Sequence, residues 1–313
     1  MSKPKISPFI AIGFAILSVS TASIFIRFGQ GDGIPSLAIA AYRMILAALF
    51  VAPFALWKAR FEIRSIARND WILIIVSGFL LACHFASWIT SLEYTSVASS
   101  VVLVTTAPLW VALFSPLLLR ESITKGILIG LIVAFLGSVI VGLSEACSFS
   151  PSLSCNAGQE LFTGKAFIGN IFALAGAFFS AGYLMVGRRV REHHSLLAYV
   201  SLVYSIAALF LLFFVGVTRS SMGIPNPIDI VWLVALALIP QVVGHSTFNW
   251  ALKFLSATYV SIALLGEPVG TVILALIILK EKPTIFEITG GILILCGIYL
   301  ASRVEKQAEV LAT

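Results

Sequence analysis

Ten apolar stretches of about 20 residues follow one another along this chain with little polar sequence between them. A helix needs about 20 such residues to cross the ~30 Å hydrocarbon core of a bilayer. The sequence therefore predicts an all-α integral membrane protein with ten transmembrane helices and no separate water-soluble domain. The predicted spans are residues 8–28, 35–57, 71–91, 97–118, 125–143, 165–186, 195–216, 228–251, 257–279 and 284–302.

Composition supports this interpretation. Hydrophobic residues make up 59% of the chain and charged residues 11%, whereas soluble domains carry about 25% charged residues. The first span follows Lys3 and Lys5 and could be mistaken for a signal peptide. Because nine more spans follow it, we expect an uncleaved first helix.

Basic residues predict the orientation in the membrane, because Lys and Arg concentrate in cytoplasmic loops. Of 20 Lys and Arg residues, 14 fall on the side that also holds both termini, five fall on the other side, and Arg43 lies inside a span. We therefore expect both termini to lie in the cytoplasm. The predicted location is the plasma or inner membrane of the cell. The net charge of +6 is explained in this way without a nucleic-acid partner.

Four cysteines divide by location. Cys83 and Cys296 lie inside spans and are expected to be small packing groups. Cys147 and Cys155 flank a Ser/Pro-rich segment of the longest loop, predicted to be extracytoplasmic, where a disulfide is chemically permitted. The alternative is two free thiols.

The sequence contains an internal repeat with a constant offset of 160 residues. Residues 112–140 resemble residues 272–300 without gaps, and "AALF" occurs at 47–50 and at 207–210. The matched residues include Pro108 with Pro268, Arg120 with Lys280, Glu121 with Glu281, Thr124 with Thr284, Gly130 with Gly290 and Gly137 with Gly297. Gly130 also closes the small-residue pattern "GILIG" at 126–130, which allows close helix packing.

The offset covers five spans, an odd number, so each unit enters the membrane from the side opposite to its copy. Inverted repeats of this kind characterise secondary transporters, whose binding site lies at mid-membrane between the halves. The sequence predicts a first repeat over 8–143, an extracytoplasmic loop over 144–164 and a second repeat over 165–303. The alternative is a duplication kept only for packing.

The pattern P-x-(apolar run)-[RK]-E-x-x-T-x-x-x-x-x-G closes each half. It resembles the EamA-type repeat of the drug/metabolite transporter superfamily, and "YRMILAAL" (42–49) and "GHSTFNWALKFLSATYVSIALLGEPVG" (244–270) resemble other parts of that repeat. The resemblance covers about residues 8 to 303. It implies ten helices, cytoplasmic termini, a central cavity and, in most cases, export of small metabolites driven by protons or the membrane potential. The loop 144–165 is longer than the usual connection.

Few polar residues lie within the spans, and each costs about 2.5–3.5 kcal/mol at the bilayer centre, so they are candidates for function. We expect a substrate-binding cavity lined by polar and aromatic residues: Tyr42, Arg43, His84, Trp88, Gln241, His245 and Asn249. His84 and His245 match at an offset of 161. Gln241, His245 and Asn249 step by four along one predicted helix face. Each histidine either lines the cavity or is simply a hydrogen-bonded packing residue.

Glu267 precedes Pro268 in the middle of span 9. Proline removes a backbone donor and kinks a helix, so kinks are predicted at Pro268 and at its counterpart Pro108. A carboxylate in such a dry place suits reversible protonation, which makes Glu267 a candidate for proton coupling or gating. Alternatively, Glu267 is a structural tie to Arg43 or to a backbone group. Arg43 in turn is either the partner of Glu267 or a clamp for a substrate carboxylate.

These observations predict a secondary transporter, most simply an exporter of small organic metabolites such as amino acids or related amphipathic compounds. The alternative is a uniporter or channel-like permease. GxSxG, HExxH and GxxxxGK[ST] strings are missing from the sequence, which argues against an intramembrane enzyme and against ATP coupling. We expect no metal and no cofactor, a small-molecule substrate, and a monomer or weak dimer in the lipid bilayer; protons are a candidate coupling ion, and the sequence leaves the coupling ion open.

Overall fold

The computed structural model describes residues 6–95, 97–143, 147–149, 153–155, 164–274, 276–277, 280 and 282–312. Within them, nine helical segments are long and apolar enough to cross a membrane, and the shorter apolar helix Val102–Leu118 fills the remaining predicted span. The fold is therefore the all-α membrane bundle that the sequence predicts.

The first half contains eight helices in chain order. They are α1 (Pro8–Val19), α2 (Ala22–Gly31), α3 (Ser36–Lys58), α4 (Arg60–Arg64), α5 (Arg68–Tyr94), α6 (Val97–Val104), α7 (Ala107–Leu118) and α8 (Lys125–Leu143). Helices α1 and α2 form span 1, α6 and α7 form span 4, and the short α4 lies in the connection between spans 2 and 3.

The second half begins at α9. Its helices are α9 (Gly164–Arg191), α10 (Leu196–Thr218), α11 (Pro227–Leu236), α12 (Ser246–Ala251), α13 (Ala257–Leu264), α14 (Glu267–Leu274) and α15 (Ile285–Ala312). A π-helical segment, Ala237–His245, joins α11 to α12 within span 8. Helices α13 and α14 form span 9.

Local sequence signals explain several helix starts. Ser195 and Ser256 each accept a hydrogen bond from a backbone N–H three residues later, at the first turns of α10 and α13. Asn226 and Asp229 form a capping box at α11, which begins with Pro227.

Polar contacts between connections identify the two ends of the bundle. At one end, here called the basic end, Glu62 Oε1 accepts a hydrogen bond from the Ser195 N–H at 2.6 Å. At the other end, here called the loop end because α8 ends and α9 begins there, Glu93 Oε1 accepts one from the Ser36 N–H at 2.9 Å. The basic end is the one that the charge pattern predicts to be cytoplasmic.

The two halves show the predicted inverted relationship. Helices α8 and α15 run antiparallel, with Gly130 against Gly297 and Gly137 against Gly290. An offset of 160 converts the first contact into the second, as a two-fold axis in the membrane plane requires. Arg120 and Lys280, matched at the same offset, also share a left-handed backbone, with φ of 57° and 59°. Glu281, the counterpart of Glu121, lies outside the described residues.

Spans 4 and 9 are interrupted at equivalent places. Each contains a two-residue turn, Thr105–Thr106 and Leu265–Gly266, and each proline, Pro108 and Pro268, is the second residue of the helix that follows. Proline tolerates this position because the first N–H groups of a helix have no intrahelical acceptor.

Span 1 also breaks, at Ser20–Thr21, where the sequence predicts a continuous helix. The Ser20 hydroxyl lies 2.7 Å from the carbonyl oxygen of Ile16 in its own helix and 2.9 Å from that of Glu267 in span 9, and its single proton is shared between them. The contact with Glu267 is the tertiary contact that accompanies the break. The break in span 1 is thereby attached to the break in span 9.

The loop between the halves contains a short hairpin. Strands β1 (Cys147–Phe149) and β2 (Leu153–Cys155) pair antiparallel, with the Cα atoms of Cys147 and Cys155 opposite each other. The side chains of both cysteines lie outside the described part of the structure, so their disulfide stays a prediction.

Candidate functional site

A cavity of about 190 Å³ lies in the middle of the bundle, between the two halves. Its wall includes the breaks of spans 1, 4 and 9, where helix interruptions open space between the chains. It is lined by Val19, Ala22, Ser23, Arg43, His84, Trp88, Val104, Thr105, Ala107, Pro108, Val141, Gly142, Ser180, His245, Ser261, Leu264, Leu265, Glu267, Pro268, Thr271, Val272 and Glu287.

Arg43 extends from α3 into this region and is only 1% exposed. Its Nε donates a hydrogen bond of 2.8 Å to Gln241 Oε1, and its guanidinium lies 4.0 Å from the ring centroid of Phe85. The Nη1 group is buried without a hydrogen-bond partner in the described structure. The Nε side of the guanidinium is therefore fixed, and Nη1 is left without an acceptor.

His84 and Trp88 stand one turn apart on α5 and stack with their ring planes 6° from parallel and their centroids 6.0 Å apart. His84 Nδ1 lies 2.8 Å from the Gly176 carbonyl oxygen. Since a carbonyl only accepts, Nδ1 carries the proton, and Nε2 is left as the other functional position of the ring. Trp88 Nε1 is buried without a partner among the described residues.

The second predicted histidine, His245, also lines the cavity. Its ring packs edge-on against Phe85 at a centroid distance of 5.5 Å. Both histidines of the pseudo-symmetric pair therefore lie at one site. Whether they bind substrate stays a prediction.

Glu267, at the start of α14, lines the cavity beside Pro268. No salt bridge within 4.0 Å joins Glu267 to Arg43, although both belong to the described residues and to the same wall. The expected alternative of a direct Arg43–Glu267 tie is therefore wrong for this conformation. The guanidinium and the carboxyl group thus belong to one cavity wall without forming a direct ion pair.

Three predicted substrate-binding residues lie behind the wall instead of in it. Tyr42 OH donates to the Met222 carbonyl at 2.5 Å, towards the loop end. Gln241 is fully buried and holds Arg43, and Asn249 Nδ2 donates to Tyr183 OH at 2.5 Å and to the His245 carbonyl at 2.8 Å. These contacts correct the prediction that all three line the cavity.

The π-helical segment explains why the predicted polar stripe fails. A step of four residues returns to the same face of an α-helix, but the wider turns of a π-helix rotate Gln241 away from His245. Pro240 lies inside this segment and removes one backbone donor. In the sequence, this proline is the residue that indicates a departure from regular α-helix. π-Bulges occur frequently at functional sites.

Several cavity residues were not predicted, including Ser180, Ser261, Thr271 and Glu287. The position of Glu287 at a helix start can be predicted from the sequence. Thr284 and Glu287 form the T-x-x-E capping box of α15, with hydrogen bonds of 2.6 and 3.2 Å. The serines and threonine carry no such signal, since these residues are common throughout transmembrane helices.

The basic end of the bundle is closed below the cavity by a polar cluster that the sequence did not reveal. Glu121 pairs with Arg188 at 3.1 Å and accepts the Ala257 N–H at 3.2 and 3.1 Å with its two oxygens. Arg188 Nη1 also donates to the Leu252 carbonyl at 2.7 Å. We call Glu121, Arg188 and the backbone of Leu252 and Ala257 the basic-end cluster.

Two further contacts reinforce this closure around the start of α13. Glu305 accepts the Ser256 N–H at 2.6 Å and its hydroxyl at 2.9 Å. Two residues after Ser256, Thr258 Oγ1 shares a hydrogen bond of 3.0 Å with Ser115 Oγ, and both residues are buried. The carboxylates of Glu121 and Glu305 thus both stabilise the positive N-terminal end of the α13 dipole.

A membrane bundle of two inverted halves around a central cavity has the architecture of a transporter. A model of the EamA-like transporter family matches the chain twice, over residues 7–143 and 167–303. The chain therefore belongs to the EamA-like transporter family, within the drug/metabolite transporter superfamily, and is a transmembrane transporter.

Similar proteins are found in distant organisms. An uncharacterized transporter of Archaeoglobus fulgidus is 25% identical over 294 residues, covering 91% of this chain and 93% of the relative. The uncharacterized transporter YyaM of Bacillus subtilis is 25% identical over 299 residues, covering 94% and 93%. A crystal structure of another protein superposes with a TM-score of 0.77 at 18% identity, covering 97% of this chain and 99% of that one. That likeness concerns the fold alone.

Proposed function

We propose that this transporter is a secondary active exporter that moves small organic metabolites by alternating access to the central cavity. The observation that supports it most is the placement of Arg43, Glu267 and two histidines in one cavity between the inverted halves. Ionisable residues at this depth are costly and are retained mainly along substrate and ion pathways.

The asymmetry of the two ends supports alternating access. The cavity wall extends to Gly142 and Glu287, which lie near the loop end, whereas the basic-end cluster closes the opposite side. With both termini in the cytoplasm, as the basic residues predict, this conformation is closed to the cytoplasm. The inverted repeat supplies the second state, because exchanging the conformations of the two halves would close the loop end and open the basic end.

Glu267 is the residue that we assign to proton coupling or gating. It begins α14 directly after the Leu265–Gly266 turn, so a small change in that turn would move its carboxylate relative to Arg43. Ser20 and Thr271 hydrogen-bond across spans 1 and 9 at this point, with Thr271 Oγ1 3.2 Å from the Ser20 carbonyl. A shift of Glu267 on protonation would therefore affect the breaks of both span 1 and span 9.

Counterflow in proteoliposomes tests the proposal. Purified protein is reconstituted, vesicles are loaded with one unlabelled metabolite from a panel of amino acids, amines, nucleosides and carboxylates, and uptake of the labelled form is followed. A carrier gives transient, saturable accumulation above equilibrium. Flux that does not saturate and gives no counterflow contradicts alternating access and indicates a channel.

A further inference from the structure

We propose that the cavity recognises the carboxylate group of a small monocarboxylate with an apolar body, and that Arg43 and Trp88 supply the hydrogen-bond donors. This inference rests on the proposed transport function and adds the chemical class of the substrate. It is carried by two residues of the cavity wall, Arg43 and Trp88, each of which has a buried N–H donor without a partner among the described residues.

The state of Arg43 gives the first argument. Gln241 takes its Nε–H and Phe85 covers one face of the guanidinium, so the group is held in place. The Nη1 group has no acceptor among the described residues, and no described carboxylate lies within salt-bridge distance of Arg43. Leaving a buried charged donor without an acceptor is strongly unfavourable, and a carboxylate is the acceptor that matches a guanidinium best.

Trp88 gives the second argument. Its side chain is 8% exposed, yet its indole N–H is buried without a partner. Buried indole N–H groups ordinarily find an acceptor, because a buried donor without a hydrogen bond costs about 1–3 kcal/mol. A ligand oxygen held between Arg43 and Trp88 would satisfy both donors.

The rest of the wall selects the ligand further. Apolar side chains such as Val19, Leu264 and Val272 line it, next to the His84–Trp88 stack, which suits an aliphatic or aromatic body. Glu267 and Glu287 belong to the same wall, and Arg43 is the one Lys or Arg among the described residues that form it. A phosphate, which carries a charge of about −1.5 to −2 at pH 7, would meet stronger repulsion from these two glutamates than a singly charged carboxylate, with the same single guanidinium to offset it.

The test uses binding, which needs no translocation. The full-length protein in lipid nanodiscs is titrated with matched sets that share one body: 3-phenylpropionate, 3-phenylpropionamide and 3-phenylpropylamine, and the same three groups on a butyl body. The Kd is read from intrinsic fluorescence and from the shift in melting temperature. We expect each carboxylate to bind at least about 10-fold tighter than its amide, as charged hydrogen bonds predict.

Three variants assign the donors. Arg43→Lys keeps the charge but loses the planar edge, and we expect about 10-fold weaker carboxylate binding. Trp88→Phe removes little more than the indole ring edge with its N–H, and we expect several-fold weaker binding. Trp110→Phe is the matched control, because Trp110 Nε1 is also buried without a described partner but lies outside the cavity wall; its affinity should equal that of the wild type.

The outcomes separate the two proposals. If no carboxylate binds tighter than its amide, or if the amines bind best, the carboxylate site is wrong and Glu267 becomes the anchor for a cation. If the Arg43→Lys variant binds the carboxylate with the Kd of the wild type, as the Trp110→Phe control should, Arg43 is not the anchor. Carboxylate binding without counterflow overturns transport and leaves the site standing. If solutes that lack a carboxylate show counterflow, and added carboxylates do not inhibit it, the carboxylate site is wrong and the transport function stands.

Discussion

A methyl group on Gly137 would lie 2.6 Å from the carbonyl oxygen of Gly290, and a methyl group on Gly290 would lie 2.6 Å from the carbonyl oxygen of Gly137. This reciprocity is the packing signature of the inverted repeat. Helices α8 and α15 approach so closely that backbone meets backbone, and in a bilayer such van der Waals packing is a main source of helix association.

Gly137→Ala is therefore expected to destabilise the bundle by about 1–3 kcal/mol, because the clash is with backbone that cannot rotate away. Gly290→Ala should act in the same way. The measurement is the melting temperature of purified protein in detergent. Gly216→Ala is the control, since an added methyl there meets nothing within 4 Å and alanine favours the helix. Equal melting temperatures for Gly137→Ala and Gly216→Ala would contradict the close approach.

The basic-end cluster makes a second prediction. Glu121→Gln keeps the size of the side chain but loses the ion pair with Arg188 and weakens the interaction with the α13 N-terminus. A loss of about 1–2 kcal/mol from the closed state would raise the population open to the basic end by about 5–30-fold. The cavity should then be reached more easily from the cytoplasm.

Labelling of Ser261→Cys measures this accessibility. A membrane-impermeant maleimide is added to inside-out vesicles, and the rate is compared with and without Glu121→Gln. Glu192→Gln is the control, because Glu192 pairs with Arg189 at 3.7 Å on the exposed part of the same end, with side chains 35% and 61% exposed. Slower or unchanged labelling in Glu121→Gln would remove the cluster from the gate.

Features that depend on composition and short patterns were predicted well. Apolar length located the spans, and the odd five-span offset established the inverted orientation before any coordinates, as the Gly130–Gly297 and Gly137–Gly290 contacts now show. Proline chemistry located the breaks near Pro108 and Pro268. The cost of burial, the pseudo-symmetry of the histidines and the proline at 268 made Arg43, His84, His245 and Glu267 candidates, and these four line one cavity, whereas Gln241 and Asn249, chosen by the same burial cost, do not.

The remaining features depend on partners far away in sequence. Ser20, at the break in span 1, bonds a carbonyl 247 residues later, and Glu121 reaches a backbone N–H 136 residues later. A serine or a loop glutamate carries no mark of such a partner. The polar stripe on span 8 was wrong for a different reason, since a helical period of 3.6 was assumed where the backbone is π-helical.

The loop between the halves makes a third prediction. Because the backbones of β1 and β2 place Cys147 opposite Cys155, we expect a disulfide in the oxidising compartment. Denatured protein, alkylated without reductant, should then react at two cysteines, Cys83 and Cys296, which are free thiols. After reduction all four cysteines of the chain should react. Mass spectrometry of the intact protein counts them, and four alkylated sites without reductant would rule the disulfide out.

Glu267 makes the last prediction. Glu267→Gln keeps the size and shape of the side chain but replaces one carboxyl oxygen by an NH₂ donor and cannot take up or release a proton, so net flux should no longer respond to an imposed pH gradient. Counterflow, which needs no net proton movement, should survive. Both are measured in proteoliposomes with the solute identified by the counterflow screen, and Glu267→Asp should retain part of the response because the carboxylate remains. Expression and melting temperature, compared with those of Glu192→Gln, show that the fold is intact. A Glu267→Gln variant whose flux follows the pH gradient as the wild type does would exclude this carboxylate from coupling.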